Sequence, residues 1–195
     1  ATTDAPEDSV IVGKAALWPA TAFRGPEHDV LARYYWAALN AEADGIVRIT
    51  ADCPLIEPAV IDFCVAWWRC RPTWYISNCF PTRTYPRGLD VEVFPIRALA
   101  AAYHNATTDY EKEHVTPWIQ KNWNCQQGRD SCETDHSGSR WTVDERADLD
   151  FVRAVYKELG DTRYFNWHDV LELLDCKPEL AQINAHVKQK EEETQ

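Results

Sequence analysis

The sequence predicts an α/β protein built on a mainly parallel, doubly wound sheet. Three observations carry the prediction. Short β-branched or alternating runs occur at 46–50, 74–77, 89–94 and 140–143, and those at 46–50, 89–94 and 140–143 are followed by helices. Helix entries are marked by Pro or by capping residues, and no internal repeat or linker interrupts the 195 residues. A single domain over 1–184 with a polar tail over 185–195 follows from this pattern, and 195 residues suffice to bury most of its surface.

The elements follow in order. Asp4-Ala-Pro-Glu-Asp8 places Pro and acids where a first helical turn wants them, so a short helix to Trp18 is expected. A strand at 20–23 ends at Arg24-Gly25, and Val30, Leu31, Tyr34, Tyr35 and Ala38 then mark a helix over 28–40. The run 46–50 reads as a buried strand stopped by Asp52-Cys53-Pro54, and Pro58 opens a helix to Cys70. In 89–94, Leu89, Val91 and Val93 alternate with Asp90 and Glu92, which puts the two acids on one face. Helices are expected at 96–106 and from Glu111, and 124–139 is polar and turn-rich. The strand 140–143 runs through Asp144 into a helix whose face carries Leu149, Val152, Val155, Tyr156 and Leu159. Asn166 caps a helix over 167–174, and Pro178 opens the last one.

Composition excludes several function classes. Hydrophobic residues make up 45% of the chain, which is incompatible with disorder, and no apolar run or leader pattern points to a membrane. A net charge of −11 argues against nucleic acid as a partner, because phosphate neutralisation needs a basic face. The seven cysteines form no C-x-x-C pair, so zinc is not expected, and an odd count without a leader fits reduced thiols in a cytoplasm. Lys-Glu-Glu-Glu at 190–193 reads as a solvated tail.

Ligands of open α/β sheets gather outside the carboxyl ends of the strands. Asp52 and Asp144 both stand there, each at a strand end before a helix. If the strands are neighbours, the two carboxylates converge on one hard cation, and Mg²⁺ completes such a site with water and substrate phosphates. Turn and helix-capping roles explain the same positions, and spacing alone does not choose.

The segment Val47-Arg-Ile-Thr-Ala-Asp-Cys-Pro-Leu-Ile-Glu-Pro58 resembles the signature of the spore coat polysaccharide biosynthesis protein F type of cytidylyltransferase, a family related to the CMP-KDO and CMP-sialic acid synthetases. Further matching stretches are Phe23-Arg-Gly-Pro-Glu-His-Asp-Val-Leu-Ala-Arg-Tyr-Tyr35, Thr84-Tyr-Pro-Arg-Gly-Leu-Asp-Val-Glu-Val-Phe94, Glu113-His-Val-Thr-Pro117 and Trp141-Thr-Val-Asp144. Asp169-Val-Leu-Glu-Leu-Leu174, Pro178-Glu-Leu180 and Ile183-Asn184 fit as well. The resemblance spans nearly the whole chain. It implies a three-layer α/β/α sandwich of the nucleotide-diphospho-sugar transferase type, and transfer of CMP from CTP to a sugar or sugar acid with release of pyrophosphate. It also implies that Asp52 and Asp144 are the metal-binding acids.

Other site residues come from the same likeness, each beside a plainer alternative. Asp29 and Arg33 match a nucleotide-proximal region, or form an i,i+4 ion pair. Arg24 is a phosphate contact or a solvated arginine. Arg83 and Arg87 flank Tyr85-Pro86 as a clamp for carboxylate or phosphate, or are ordinary surface arginines. Asp90 takes a sugar- or metal-linked role or belongs to a polar strand face. His114 is catalytic or a structural helix-start histidine.

The resemblance breaks in one place. The family opens with a loop reading approximately A-R-x-G-S-x-R-L-P-G-K that holds the triphosphate, and nothing here matches it. The expectation is therefore an N-terminally incomplete copy that binds nucleotide poorly. Its uncovered strand edges should favour self-association, as in a homodimer. Two other functions fit the same features: a metal-dependent glycosyltransferase of the same fold type, and a non-catalytic scaffold remnant.

Overall fold

The computed structural model describes residues 1–127, 134–160 and 165–188. Cys132 and the acidic run 190–193 lie outside the described residues. Chain order is β1 (Thr2–Thr3), a 3-10 turn (Pro6–Asp8), α1 (Ser9–Ala15), β2 (Arg24–Gly25), α2 (Val30–Asn40), β3 (Gly45–Arg48), α3 (Pro58–Cys70), β4 (Tyr75–Ser77), β5 (Glu92–Pro95) and α4 (Ile96–Asn105). α5 (Asp109–His114), α6 (Pro117–Asn122), β6 (Cys125–Gln127), α7 (Arg146–Leu159), α8 (Trp167–Cys176) and α9 (Pro178–Ala181) follow. The α/β class is as expected, and strands β3, β5, β4 and β6 form one sheet in that order. Two compact units divide the chain. One holds Ala1–Val47, Ala66–Ile76 and Glu92–Gln126; the other holds Arg48–Val65, Ser77–Val91 and Gln127–Gln195.

In the first unit, β1 pairs in parallel with β2, Thr2 opposite Arg24. The strand expected at 20–23 therefore begins four residues later, at Arg24. The helix expected up to Trp18 is shorter, ends at Ala15 and buries nothing; Val10, Ile11, Leu17 and Trp18 are all exposed. Its entry is tied down by Asp8, whose carboxylate accepts from the Thr2 and Thr3 hydroxyls at 2.7 and 2.6 Å. α2 buries Leu31, Ala32 and Ala38 and packs on α4, which buries Ala98, Leu99 and Ala102, while Tyr35 stacks on Tyr103 at 4.3 Å.

β5 is buried at all four positions, so an alternating polar face is not what this strand presents. Glu92 accepts from the Tyr75 hydroxyl at 2.5 Å and from the Thr116 hydroxyl at 2.8 Å, which compensates the burial of its carboxylate. Thr116 reaches it because the chain reverses at Val115. That residue is fully buried with φ 70° and ψ −53°, and the Thr116 amide donates to the His114 carbonyl at 2.8 Å. The geometry is the strained, left-handed γ-turn, rare at a β-branched residue.

In the second unit, the buried Asn78 explains why β5 starts late. Its amide nitrogen donates to the Leu89 carbonyl at 2.7 Å and its oxygen accepts from the Val91 amide at 2.9 Å. A side chain thus takes the ladder positions of 89–91. The strand expected at 140–143 shrinks to one parallel bridge, Arg87 with Arg140. The Trp141 amide bonds the Arg87 carbonyl at 2.8 Å, but the Val143 amide turns to the Asp52 carbonyl instead, so no ladder continues. Asn166 caps α8 as expected, accepting from the amides of His168 and Asp169.

Gly88 sits at φ +107°, where an added Cβ would meet the Trp141 carbonyl carbon at 2.8 Å and its oxygen at 2.9 Å. Backbone cannot yield as a side-chain tip can. Gly88→Ala should therefore cost about 2–4 kcal/mol, combining left-handed strain with overpacking. The check is a lowered urea midpoint at unchanged m-value.

Candidate active site

Asp52 lies in the turn that follows β3. The turn is closed by the Cys53 amide on the Thr50 carbonyl at 3.4 Å and the Ile56 amide on the Cys53 carbonyl at 3.1 Å. The Asp52 carbonyl accepts from the Val143 amide at 2.8 Å, which brings the Asp52 turn beside the residue preceding Asp144. The two acids singled out from the sequence therefore stand on adjacent stretches of backbone.

Asp144 is held from behind. Its Oδ2 accepts from a terminal nitrogen of Arg140 at 2.5 Å and from the Thr142 hydroxyl at 3.3 Å. Arg140 also forks onto Asp148, with Nε to Oδ1 and a terminal nitrogen to Oδ2, both at 2.9 Å. Asp148 further accepts from the amides of Asp144 and Glu145 and from the Asn184 side chain. Burial works to raise the Asp148 pKa. The hydrogen bonds from Arg140, Asn184 and the two amides outweigh it and hold the carboxyl well below the usual range.

Cys53 packs against Asp52. Burial pushes its thiol up to about 12; the Thr50 hydroxyl opposes this, while the charges of Asp52 and Asp90 add to it. A shift in this direction disfavours the thiolate. All six described cysteines are free thiols.

Asp90 and Arg83 were separate candidates, and the structure brings them together. Two guanidinium nitrogens of Arg83 meet the two oxygens of Asp90 at 2.5 and 2.7 Å, with the Cys79 thiol donating to Oδ1 at 3.3 Å. Arg83 does clamp a carboxylate, but one from its own chain. Arg87 contributes through its backbone, bonded to Ser139 and Trp141.

The remaining candidates lie in the other unit and carry structural bonds. Arg24 donates to the Thr3 and Ala5 carbonyls at 2.9 and 2.5 Å. Asp29 caps α2, accepting from the Ala32 amide at 2.8 Å, and Arg33 donates to the Pro26 carbonyl at 3.1 Å. The expected Asp29–Arg33 ion pair thus gives way to a cap and a backbone contact. His114 is exposed at the end of α5, its ring 4.5 Å from that of Tyr110.

Among the described residues no group of three or more His, Cys, Asp or Glu side chains could hold a metal by itself. Two carboxylates on bonded stretches of backbone suit a cation that takes its other ligands from water and phosphate. No helix among the described residues is long and apolar enough to cross a membrane.

A family model described as cytidylyltransferase matches residues 1–191. The chain belongs to the cytidylyltransferase family. Its reaction class is that of a nucleotidyltransferase. This cytidylyltransferase is 34% identical over 193 residues to the uncharacterised protein MJ1063 of Methanocaldococcus jannaschii, covering 97% of this chain and 77% of that one. It is 25% identical over 187 residues to the spore coat polysaccharide biosynthesis protein SpsF of Bacillus subtilis, covering 93% and 75%. A solved cytidylyltransferase from Leptospira borgpetersenii superposes with a TM-score of 0.87 at 27% identity, over 96% of this chain and 79% of that one. CMP:2-keto-3-deoxy-manno-octonic acid synthetase, solved in complex with CTP, superposes with a TM-score of 0.54 at 15% identity, over 80% and 79%, a likeness of fold. The nucleotide-diphospho-sugar transferase type of fold read from the sequence is thereby borne out.

The sequence does not single out Arg140, Asp148 or Asn184, which the structure gathers behind Asp144. A signal for Asp148 was present: it shares helical spacing with Phe151, Val152 and Val155, all buried. A charged residue on an apolar helix face needs a buried partner, and Arg140 is that partner.

Proposed function

We propose that this chain transfers CMP from CTP to the hydroxyl of a sugar or sugar acid, releasing pyrophosphate for glycan or polysaccharide assembly in the cytoplasm. The observation that supports the reading is the Val143–Asp52 backbone bond, which joins the stretches of chain that carry Asp52 and Asp144, in a chain that matches the cytidylyltransferases over nearly its full length. The similarity to a synthetase complexed with CTP supports cytosine as the base.

Asp52 and Asp144 would hold the divalent ion, for which Mg²⁺ is the assignment. When bound, such an ion neutralises charge on the phosphates and orients the pyrophosphate leaving group. The bond that forms joins the sugar oxygen to the α-phosphorus; the bonds that break join that phosphorus to the pyrophosphate oxygen and the sugar oxygen to its proton, which is lost to solvent. Arg140 keeps Asp144 oriented. Arg24, Asp29 and Arg33 are assigned to the nucleotide. Arg83, Arg87, Asp90 and His114 are assigned to the sugar, with Arg83 and Asp90 acting as a neutral pair.

The test compares CTP, UTP, GTP and ATP in a pyrophosphate-release assay with a panel of sugar acids and amino or deoxy sugars. The expected result is pyrophosphate release with CTP at least about tenfold faster than with the other three, since a polar site built for one base leaves its groups unpaired with another. A preference for UTP or GTP overturns the base assignment. Release of a nucleoside diphosphate from a sugar nucleotide, without pyrophosphate, would mark a glycosyltransferase.

A further inference from the structure

We propose that Arg140 is a positioning residue that presents Asp144 to the divalent ion from a platform built by Asp148 and Asn184. The proposal rests on the metal reading above and adds the group that orients one of its two carboxylates.

A guanidinium is a planar fork with fixed donor directions. Here one edge of the fork pairs with both oxygens of Asp148, Nε and a terminal nitrogen each at 2.9 Å. That pairing already satisfies Asp148. The same terminal nitrogen nevertheless extends to Asp144 at 2.5 Å. The Asp148 side chain is 0% exposed and that of Arg140 11%, whereas Asp144 is 47% exposed. The fork is therefore anchored in the interior and acts at the surface. Neutralising an exposed carboxylate does little for burial, so the extension to Asp144 is not explained by the needs of the core.

Asn184 completes the platform, its amide nitrogen donating to the Arg140 carbonyl at 3.0 Å and to Asp148 Oδ1 at 2.9 Å. The Asp144 amide donates to Asp148 Oδ2 at 3.1 Å. Both the main chain and the side chain of Asp144 are thus referenced to one buried carboxylate. An exposed Asp without such support samples several rotamers, and an incoming ion must freeze one of them. With Oδ2 held by Arg140 and Thr142, that ordering is done before the ion arrives. This is the arrangement by which outer groups orient metal-ligating carboxylates.

The experiment titrates the whole chain with Mn²⁺ alone, following the loss of the free-ion electron paramagnetic resonance signal. Arg140→Lys keeps the charge but loses the fork, and is expected to weaken Mn²⁺ binding by about tenfold or more with an unchanged circular-dichroism spectrum. Asn184→Ser leaves the arginine in place and is expected to weaken it by roughly threefold, a smaller part of the same outer-shell effect. Asp52→Asn serves as the reference for the metal reading itself. Wild-type affinity in folded Arg140→Lys, with Mn²⁺ lost in Asp52→Asn, overturns the positioning role alone. Should Arg140→Lys fail to fold, wild-type affinity in Asn184→Ser overturns it in the same way. Wild-type affinity in Asp52→Asn overturns the metal reading, and this proposal falls with it.

Discussion

In the full-length enzyme, Asp52→Asn and Asp144→Asn should each lower turnover on the order of a thousandfold while leaving the fold intact. The magnitude follows from what a catalytic divalent ion supplies, several kcal/mol of charge stabilisation, at about 1.4 kcal/mol per factor of ten. Asn has nearly the same shape as Asp but lacks the charge, so the loss falls on metal affinity and not on packing. Asp52 is engaged mainly through its backbone carbonyl, which the substitution keeps. Asp144 gives up an ion pair at a half-exposed position, worth little to stability. Steady-state pyrophosphate release across a Mg²⁺ titration, with urea unfolding alongside, makes the check. Activity within a few-fold of wild type in either variant would remove that acid from the site.

The second large effect concerns stability. Asp148→Ala should cost about 3 kcal/mol, because it strands a nearly buried guanidinium that has lost its main partner. Asp144 still offers Arg140 one bond, which places the loss at the low end of the range for broken buried pairs. The effect also carries a pH signature. The folded-state pKa of Asp148 is depressed, so its stabilisation is complete above the unfolded value near 3.9 and is lost as pH falls towards the folded value. The stability gap between wild type and Asp148→Ala should therefore be constant from neutrality to about pH 5 and narrow steadily below about pH 4. Urea midpoints measured across that range read it directly, and a gap of unchanged size down to pH 2 would show that Asp148 is not the titrating group.

Some of this molecule is legible in its sequence because the relevant forces are local. Pro58 and Asn166 mark helix starts through the backbone groups of their own first turns, and α3 and α8 begin where they indicate. Asp52 and Asp144 stand out in the sequence as candidates because a β-branched run followed by an acid and a helix is a short-range pattern. What escaped was set by partners far along the chain. Nothing near Leu89 announces that Asn78 takes its ladder bonds, so the alternating pattern overstates the length of the strand. The segment beginning at Arg140 reads as a strand until the Val143 amide finds Asp52. Asp29 and Arg33 have ion-pair spacing, but the first turn of α2 needed a cap, and amides without partners outbid a solvated charge. Arg140, Asp148 and Asn184 meet only in the folded chain, so their joint role had no sequence pattern of its own.

The reversal at Val115 leaves the corner between α5 and α6 with no slack. One residue turns the chain, the next sends its hydroxyl to Glu92, and Pro117 opens the following helix. Glycine would relax the torsion but give up a buried side chain worth about 1.5–3 kcal/mol, and a larger residue has no room where exposure is already 0%. Length is as constrained as identity. An insertion or deletion between His114 and Pro117 cannot be absorbed as slack in a loop, because it shifts Thr116 away from the carboxylate it satisfies. Natural variation in chain length should therefore accumulate elsewhere, leaving this corner as a fixed point in the spacing between α5 and α6.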